Sequence, residues 1–186
     1  MTPQPTPTHE PVVPVGDAPL ARAVVDSPIG PLTLVASDAG LRAILWPDEA
    51  TGRVPLSGAI DDRPDHPVLV AAAGQLEEFF AGEREDFDLP LDPVGTDFQR
   101  KVWQALTRIG FGSTSTYGAV AVEVAGDRGR ARAVGAAIGR NPISIVVPCH
   151  RVVGADGSLT GFAGGLDVKR RLLDLESPSP TLPLGS

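Results

Sequence analysis

The chain has 186 residues, 42% of them hydrophobic, with a formal net charge of −7 at pH 7. That length holds one sizeable domain or two small ones around a proper core. No apolar run approaches the roughly 20 residues that cross a bilayer, which argues against a membrane partner, and the N-terminus lacks the basic start and apolar stretch of an export signal.

The first segment, residues 1–19, is rich in Pro and Thr and reads as a disordered arm. From Leu20 the pattern is that of strands. Ala21–Asp26 alternates, Ser27-Pro28-Ile29-Gly30-Pro31 is a turn, Leu32–Ala36 follows, and Ser37-Asp38-Ala39-Gly40 turns into Leu41–Trp46. Turn residues between short alternating runs predict an antiparallel meander. Pro47–Pro67 is polar and reads as a variable connection. Apolar residues at helical spacing (Val68, Ala72, Leu76, Phe79, Phe80) predict a helix that Gly82 stops. A sheet plus a helix makes a small α/β domain over residues 20–91, and Asp92-Pro93-Val94-Gly95 reads as a linker.

Residues 96–176 form the second domain. Thr96 with Gln99 three positions later predicts a capping box on a helix running through Val102, Trp103, Leu106 and Ile109 to Gly110. A second helix is expected over Tyr117–Ala125, a tight turn at Gly126–Gly129, and a third helix over Arg130–Ile138. Two short helices around a Gly-bearing turn, the second opening on arginines, match a helix-turn-helix and equally an ordinary helical hairpin. Charge favours the first reading. Residues 1–95 carry 5 Lys/Arg against 16 Asp/Glu, whereas residues 96–176 carry 11 against 7. Such asymmetry suggests an acidic domain joined to one that meets a polyanion, unless the two surfaces are unrelated. Residues 177–186 read as a second disordered tail. The fold class is therefore α+β: a small N-terminal α/β domain followed by a winged-helix-like helix-turn-helix domain.

The chain has one cysteine, Cys149, in Ile145-Val146-Val147-Pro148-Cys149-His150-Arg151-Val152-Val153. One Cys makes neither an intrachain disulfide nor a CxxC zinc site, so it is a buried structural thiol or a reactive one. His9, His66 and His150 supply too few further ligands, so no metal is expected. A single free thiol without an export signal suits the cytoplasm.

The segment Asn141–Val153 closely resembles the methylated-DNA–protein-cysteine methyltransferases, the O6-alkylguanine-DNA alkyltransferases. The match extends through Thr96-x-Phe98-Gln99-x-x-Val102-Trp103, Tyr117, Arg132-Ala133-Val134-Gly135, Gly161-Phe162-Ala163-Gly164-Gly165-Leu166, Lys169, Leu172-Leu173 and Glu176. The resemblance implies irreversible transfer of an alkyl group from O6-alkylguanine in double-stranded DNA to Cys149, by a monomer that needs no cofactor. His150 would be the base, through a water, with Glu176 holding its tautomer and Asn141 orienting the same network. Tyr117 would hydrogen-bond the flipped guanine, and Arg132 would fill the vacated stack. Ala133, Arg130, Arg140 and Arg151 would meet the DNA. Ile138, Pro148, Val152, Phe162 and Ala163 would line the pocket. Ala163 stands where some members have serine, and the Tyr117–Arg132 separation is one residue longer than usual. Two other readings use the same residues: a non-enzymatic sensor of alkylated DNA, which would lack the active cysteine, and a cysteine hydrolase built on Cys149, His150 and Glu176.

Overall fold

The computed structural model describes residues 18–177. The expected arm, save residues 18 and 19, and the expected tail, save Ser177, lie outside the described residues. Strands β1 (Leu20–Val25), β2 (Leu32–Ser37) and β3 (Gly40–Leu45) form the expected antiparallel meander. Its first turn is closed by Gly30 N–H donating to Ser27 O at 3.0 Å and by the Ser27 hydroxyl donating to Gly30 O at 2.6 Å.

The sheet is mixed, however, not antiparallel. A fourth strand, β4 (Ile60–Asp62), pairs parallel with β1 and completes the order β3-β2-β1-β4. Three residues, two of them aspartates, carry no readable alternation. Register and the Arg22–Asp62 ion pair (2.6 Å) hold them instead.

Helix α1 (Pro67–Phe80) starts with Pro67 in its first turn and the His66 Nδ1 accepting from Val68 N–H at 3.3 Å. Leu69, Ala72, Leu76 and Phe79 recur on one face and are buried. Burying each Leu or Phe stabilises the fold by about 1.5–3 kcal/mol.

Helix α2 (Asp97–Leu106) carries the complete capping box: Thr96 Oγ1 accepts from Gln99 N–H (3.1 Å), and Gln99 Oε1 from Thr96 N–H (2.9 Å). It ends before Ile109 because the Thr107 hydroxyl turns back onto Gln104 O (2.6 Å), and Arg108 and Ile109 make the shorter bonds of a tighter turn. Strand β5 (Ser115–Thr116) leads into α3 (Tyr117–Ala125), capped by Thr116 and stopped by Gly126 at φ 68°. A 3₁₀ turn at Arg128–Arg130 delays α4 to Ala131–Gly139, so the third helix begins one residue later than expected. A 3₁₀ turn at Cys149–Arg151, strand β6 (Val152–Val153, parallel to β5) and α5 (Leu166–Glu176) complete the chain.

One hydrophobic core runs through both halves, from Ala21, Leu32 and Phe79 to Trp103, Val134 and Leu172. The outer edge of β3 joins them. Leu41 N–H donates to Pro90 O and Asp92 N–H to Leu41 O, both at 2.8 Å, while further along Ile44 N–H donates to Pro142 O at 2.9 Å. Gly40 is required at this seam, because a Cβ there would sit 2.6 Å from Pro90 O. Gly40→Ala should therefore lower stability by about 1–3 kcal/mol. Gly74→Ala, on the exposed face of α1 with nothing within 4 Å, should raise it by about 0.5–1 kcal/mol. Urea unfolding of both variants checks the pair.

Candidate active site and nucleic-acid interface

Cys149 opens the 3₁₀ turn behind a buried loop, Asn141–Pro148. Two narrow turns shape that loop. Val146 N–H donates to Ser144 O (2.9 Å) around Ile145 at φ 75°, a left-handed γ-turn that a β-branched residue adopts at a cost of about 1–3 kcal/mol. Cys149 N–H then donates to Val147 O (2.8 Å) around Pro148, an inverse γ-turn at φ −81° and ψ 64°. Ile145 is only 1% exposed, and its burial together with the surrounding bonds holds it in that conformation. Asn141 staples the loop from inside, with Nδ2 donating to Val147 O (2.9 Å) and Oδ1 accepting from Ile143 N–H (3.0 Å). Its amide therefore orders the backbone behind Cys149 rather than the imidazole.

His150 is fully buried and its Nε2 lies 2.7 Å from Glu176 Oε1. Glu176, at the end of α5, is 2% exposed and so is no solvated helix-end charge. A carboxylate accepts here, so Nε2 carries the proton and Nδ1 presents its lone pair. That Nδ1 is buried with no partner among the described residues, which leaves it free to act as a base. Arg151, which the resemblance places on DNA, is instead turned inward and only 5% exposed. Its guanidinium is buried, donating from Nε and Nη2 to Glu176 (both 2.9 Å) and from Nη1 to Ile109 O (2.5 Å). An arginine beside a buried carboxylate is worth more as its counter-ion than as a surface contact.

A cavity of about 360 Å³ opens beside Cys149, with Tyr117, Ile138, Asn141, Phe162 and Ala163 in its walls. Two expected wall residues are not there. Val152 is wholly buried in β6, where its carbonyl accepts from Lys169 Nζ at 2.6 Å. Pro148 points to a separate hollow and serves as the turn residue. Tyr117 hydroxyl donates to Thr160 O (3.3 Å) and accepts from the Thr160 hydroxyl (3.0 Å).

In and behind the cavity stand further residues to which the sequence assigns no role. Arg53, from the segment taken as a variable connection, lines it, pairs with Glu49 and donates to Asn141 O at 2.7 Å. Ser144 lines it too. Lys169, with no exposed surface, ties Val152 O to Thr160 O (2.9 Å). A polar segment with two Arg and a Ser in an apolar run carry no separate signal, and Lys169 is marked only by the family match. A larger hollow of about 570 Å³ between β1 and α1 has Asp26 and Glu77 as its charged lining, which would repel a nucleic acid. Among the described residues no three His, Cys, Asp or Glu side chains gather as metal ligands.

Outside the cavity, Arg128, Arg130, Arg132 and Arg140 are exposed around α4 and have no carboxylate partner among the described residues. Arg140 also donates to Gly52 O at 3.1 Å. Ala133 lies half-buried beside Arg132, and Gly135 packs on the Tyr117 ring.

Burial pushes the Cys149 thiol above its ordinary 9.0, against hydrogen bonding from Asn141 and the nearby Lys169 charge. Burial likewise pulls His150 below 6.5, against its bond to Glu176. Burial alone would raise Glu176, but hydrogen bonds from His150 and Arg151 outweigh it and hold the carboxyl below 4.5. The resting site thus has a neutral thiol, a neutral imidazole and an ionised carboxylate.

These shifts set a stability window. His150 and Glu176 titrate lower when folded, so stability is lost as pH falls below 6.5 and again below 4.5. Cys149 titrates higher when folded, so stability is lost as pH rises past 9.0. Cys149→Ser should flatten the alkaline limb and leave the acid limb in place; melting temperatures across pH test it.

Two family profiles match the chain: the 6-O-methylguanine DNA methyltransferase ribonuclease-like domain over residues 20–93, and the DNA-binding domain of the same family over residues 97–178. The chain belongs to the O6-methylguanine DNA methyltransferase family. Among curated relatives, the methylated-DNA–protein-cysteine methyltransferase of Methanosarcina barkeri is 46% identical over 153 residues, covering 82% of this chain and 94% of its own. The Mycobacterium tuberculosis protein of that name is 48% identical over 152 residues (82% and 89%). The solved structure of the M. tuberculosis OGT in complex with DNA superposes with a TM-score of 0.74 at 44% identity, covering 87% of this chain and 96% of that one.

Proposed function

We propose that the protein repairs DNA directly, moving an alkyl group from guanine O6 to Cys149 once per molecule. The observation that carries this is the buried thiol followed in the same 3₁₀ turn by an imidazole whose Nε2 is held by Glu176 and whose Nδ1 has no partner among the described residues. The thiol proton passes to His150 Nδ1 by way of a water, and Glu176 offsets the positive charge that forms on the ring. The thiolate sulfur attacks the alkyl carbon, the carbon–O6 bond breaks, and guanine leaves with the electron pair. Tyr117 exchanges its bond to Thr160 for one to the departing base.

A base inside a duplex hides its O6 substituent, so it must be rotated out at a cost of a few kcal/mol. Arg132 fills the gap, Ala133 lets α4 approach closely, and Arg130 and Arg140 neutralise phosphate, which makes affinity fall with salt. Gly161, Phe162 and Ala163 fold over the base. The substrate is alkylated guanine in duplex DNA, and a monomer suffices because one chain supplies every side chain of the site. The nucleophile works as a reduced thiol, which suits the cytoplasm. The sensor reading has no use for Cys149, and a hydrolase has no use for the basic helix pair.

Incubation with O6-methylguanine DNA should leave each chain carrying one methyl group in place of the thiol proton, with no turnover. Intact mass reads it, and transfer by Cys149→Ala would overturn the assignment. Arg132→Ala should slow repair of duplex DNA by about 10- to 100-fold while sparing dealkylation of free O6-benzylguanine; equal losses on both substrates would remove the flipping role.

A further inference from the structure

Ser144 is the unexplained group in the cavity. It is 1% exposed, its Oγ is buried with no hydrogen-bond partner among the described residues, and it shares the cavity wall with Cys149. A buried hydroxyl is ordinarily hydrogen-bonded, most often to a nearby backbone carbonyl. Here the carbonyl three back, Asn141 O, is taken by Arg53 Nη1 at 2.7 Å, and both ends of the Asn141 amide are engaged with the loop. The serine's own backbone cannot swing away, since Ser144 O closes the strained turn at Ile145 and Ser144 bridges to Val147. A donor is thus held without an acceptor beside a sulfur that is neutral at rest.

We propose that the Ser144 hydroxyl is the hydrogen-bond donor that meets the Cys149 sulfur once the thiol has lost its proton, making Ser144 a further catalytic residue of alkyl transfer. The proton that leaves Sγ goes to His150; Ser144 keeps its own and only donates. Asn141, with one amide hydrogen beyond the bond to Val147 O, is the second donor, and both side chains favour the ionised sulfur. A donor fixed before charge develops needs no reorganisation when it does. The proposal rests on Cys149 being the alkyl acceptor.

The chain has a single cysteine, so thiolate absorbance in the DNA-free protein reports Cys149 alone. Ser144→Ala should raise the ionisation midpoint by about one pH unit and slow single-turnover methyl transfer at neutral pH about tenfold. The two rates should converge at alkaline pH, and DNA affinity should not change. Ser144→Thr, which keeps the hydroxyl, should restore the midpoint. The alanine variant should melt no lower than the parent, because an orphaned hydroxyl has been removed. An unchanged midpoint in Ser144→Ala, or a loss of folding stability, would overturn the proposal. A shifted midpoint in a protein that accepts no alkyl group would uphold the contact and defeat the repair reading instead.

Discussion

Enclosing the Asn141–Cys149 segment inside the protein leaves a run of irregular backbone to be satisfied without water. Buried loops are rare because each unpaired amide or carbonyl there costs a hydrogen bond's worth of desolvation. This one is satisfied from three sides. The Asn141 side chain takes Ile143 N–H and Val147 O, β3 supplies Ile44 N–H to Pro142 O, and Arg53 supplies a donor to Asn141 O. The left-handed Ile145 is tolerated because these bonds leave the chain no other path. The orientation of Cys149, and the cavity in front of it, follow from that closure.

The charge arrangement follows from the same burial. Glu176 accepts from His150 and Arg151 at once, so the one ionised acid of the site is fully engaged. Removing either partner would leave a buried charge less than compensated, which is costlier than never having had it. Lys169, held by two carbonyls, adds a positive charge deep beside a thiol that burial keeps protonated. A thiol stored in that form is a poor target for oxidants, whose reaction needs thiolate. On the proposed mechanism, nucleophilicity is released only when the imidazole takes the proton.

The parts of this architecture that are local in sequence were legible there. Thr96 and Gln99 announce the start of α2, and Thr116 and Gly126 bracket α3. The meander follows from alternation and turn residues. The Cys-His neighbours marked the chemistry, and the family resemblance supplied Glu176, whose pairing with His150 depends on α5 folding back and has no local cue. Arg151 misled because an arginine near a basic helix reads as surface until a buried carboxylate is seen to face it. Val152 and Pro148 misled because adjacency to a nucleophile is not the same as facing its substrate. Arg53 and β4 were missed for a common reason: the carbonyl that Arg53's guanidinium meets and the strand that β4 pairs with lie far along the sequence, and their own segment's composition says only that it is polar.

The seam along β3 has a consequence for how this protein fails. Its outer edge receives the interdomain connection at Leu41 and the nucleophile's loop at Ile44, so one strand measures out the distance between the halves. The short connection is therefore a brace, and the halves reach DNA already in register. Inherited or engineered changes in β3, far upstream of Cys149 and clear of the arginines around α4, would leave those arginines in place and displace the sulfur. Sorting variants by nearness to Cys149 in the sequence would file such changes as harmless; sorting them by what the sheet edge carries would not.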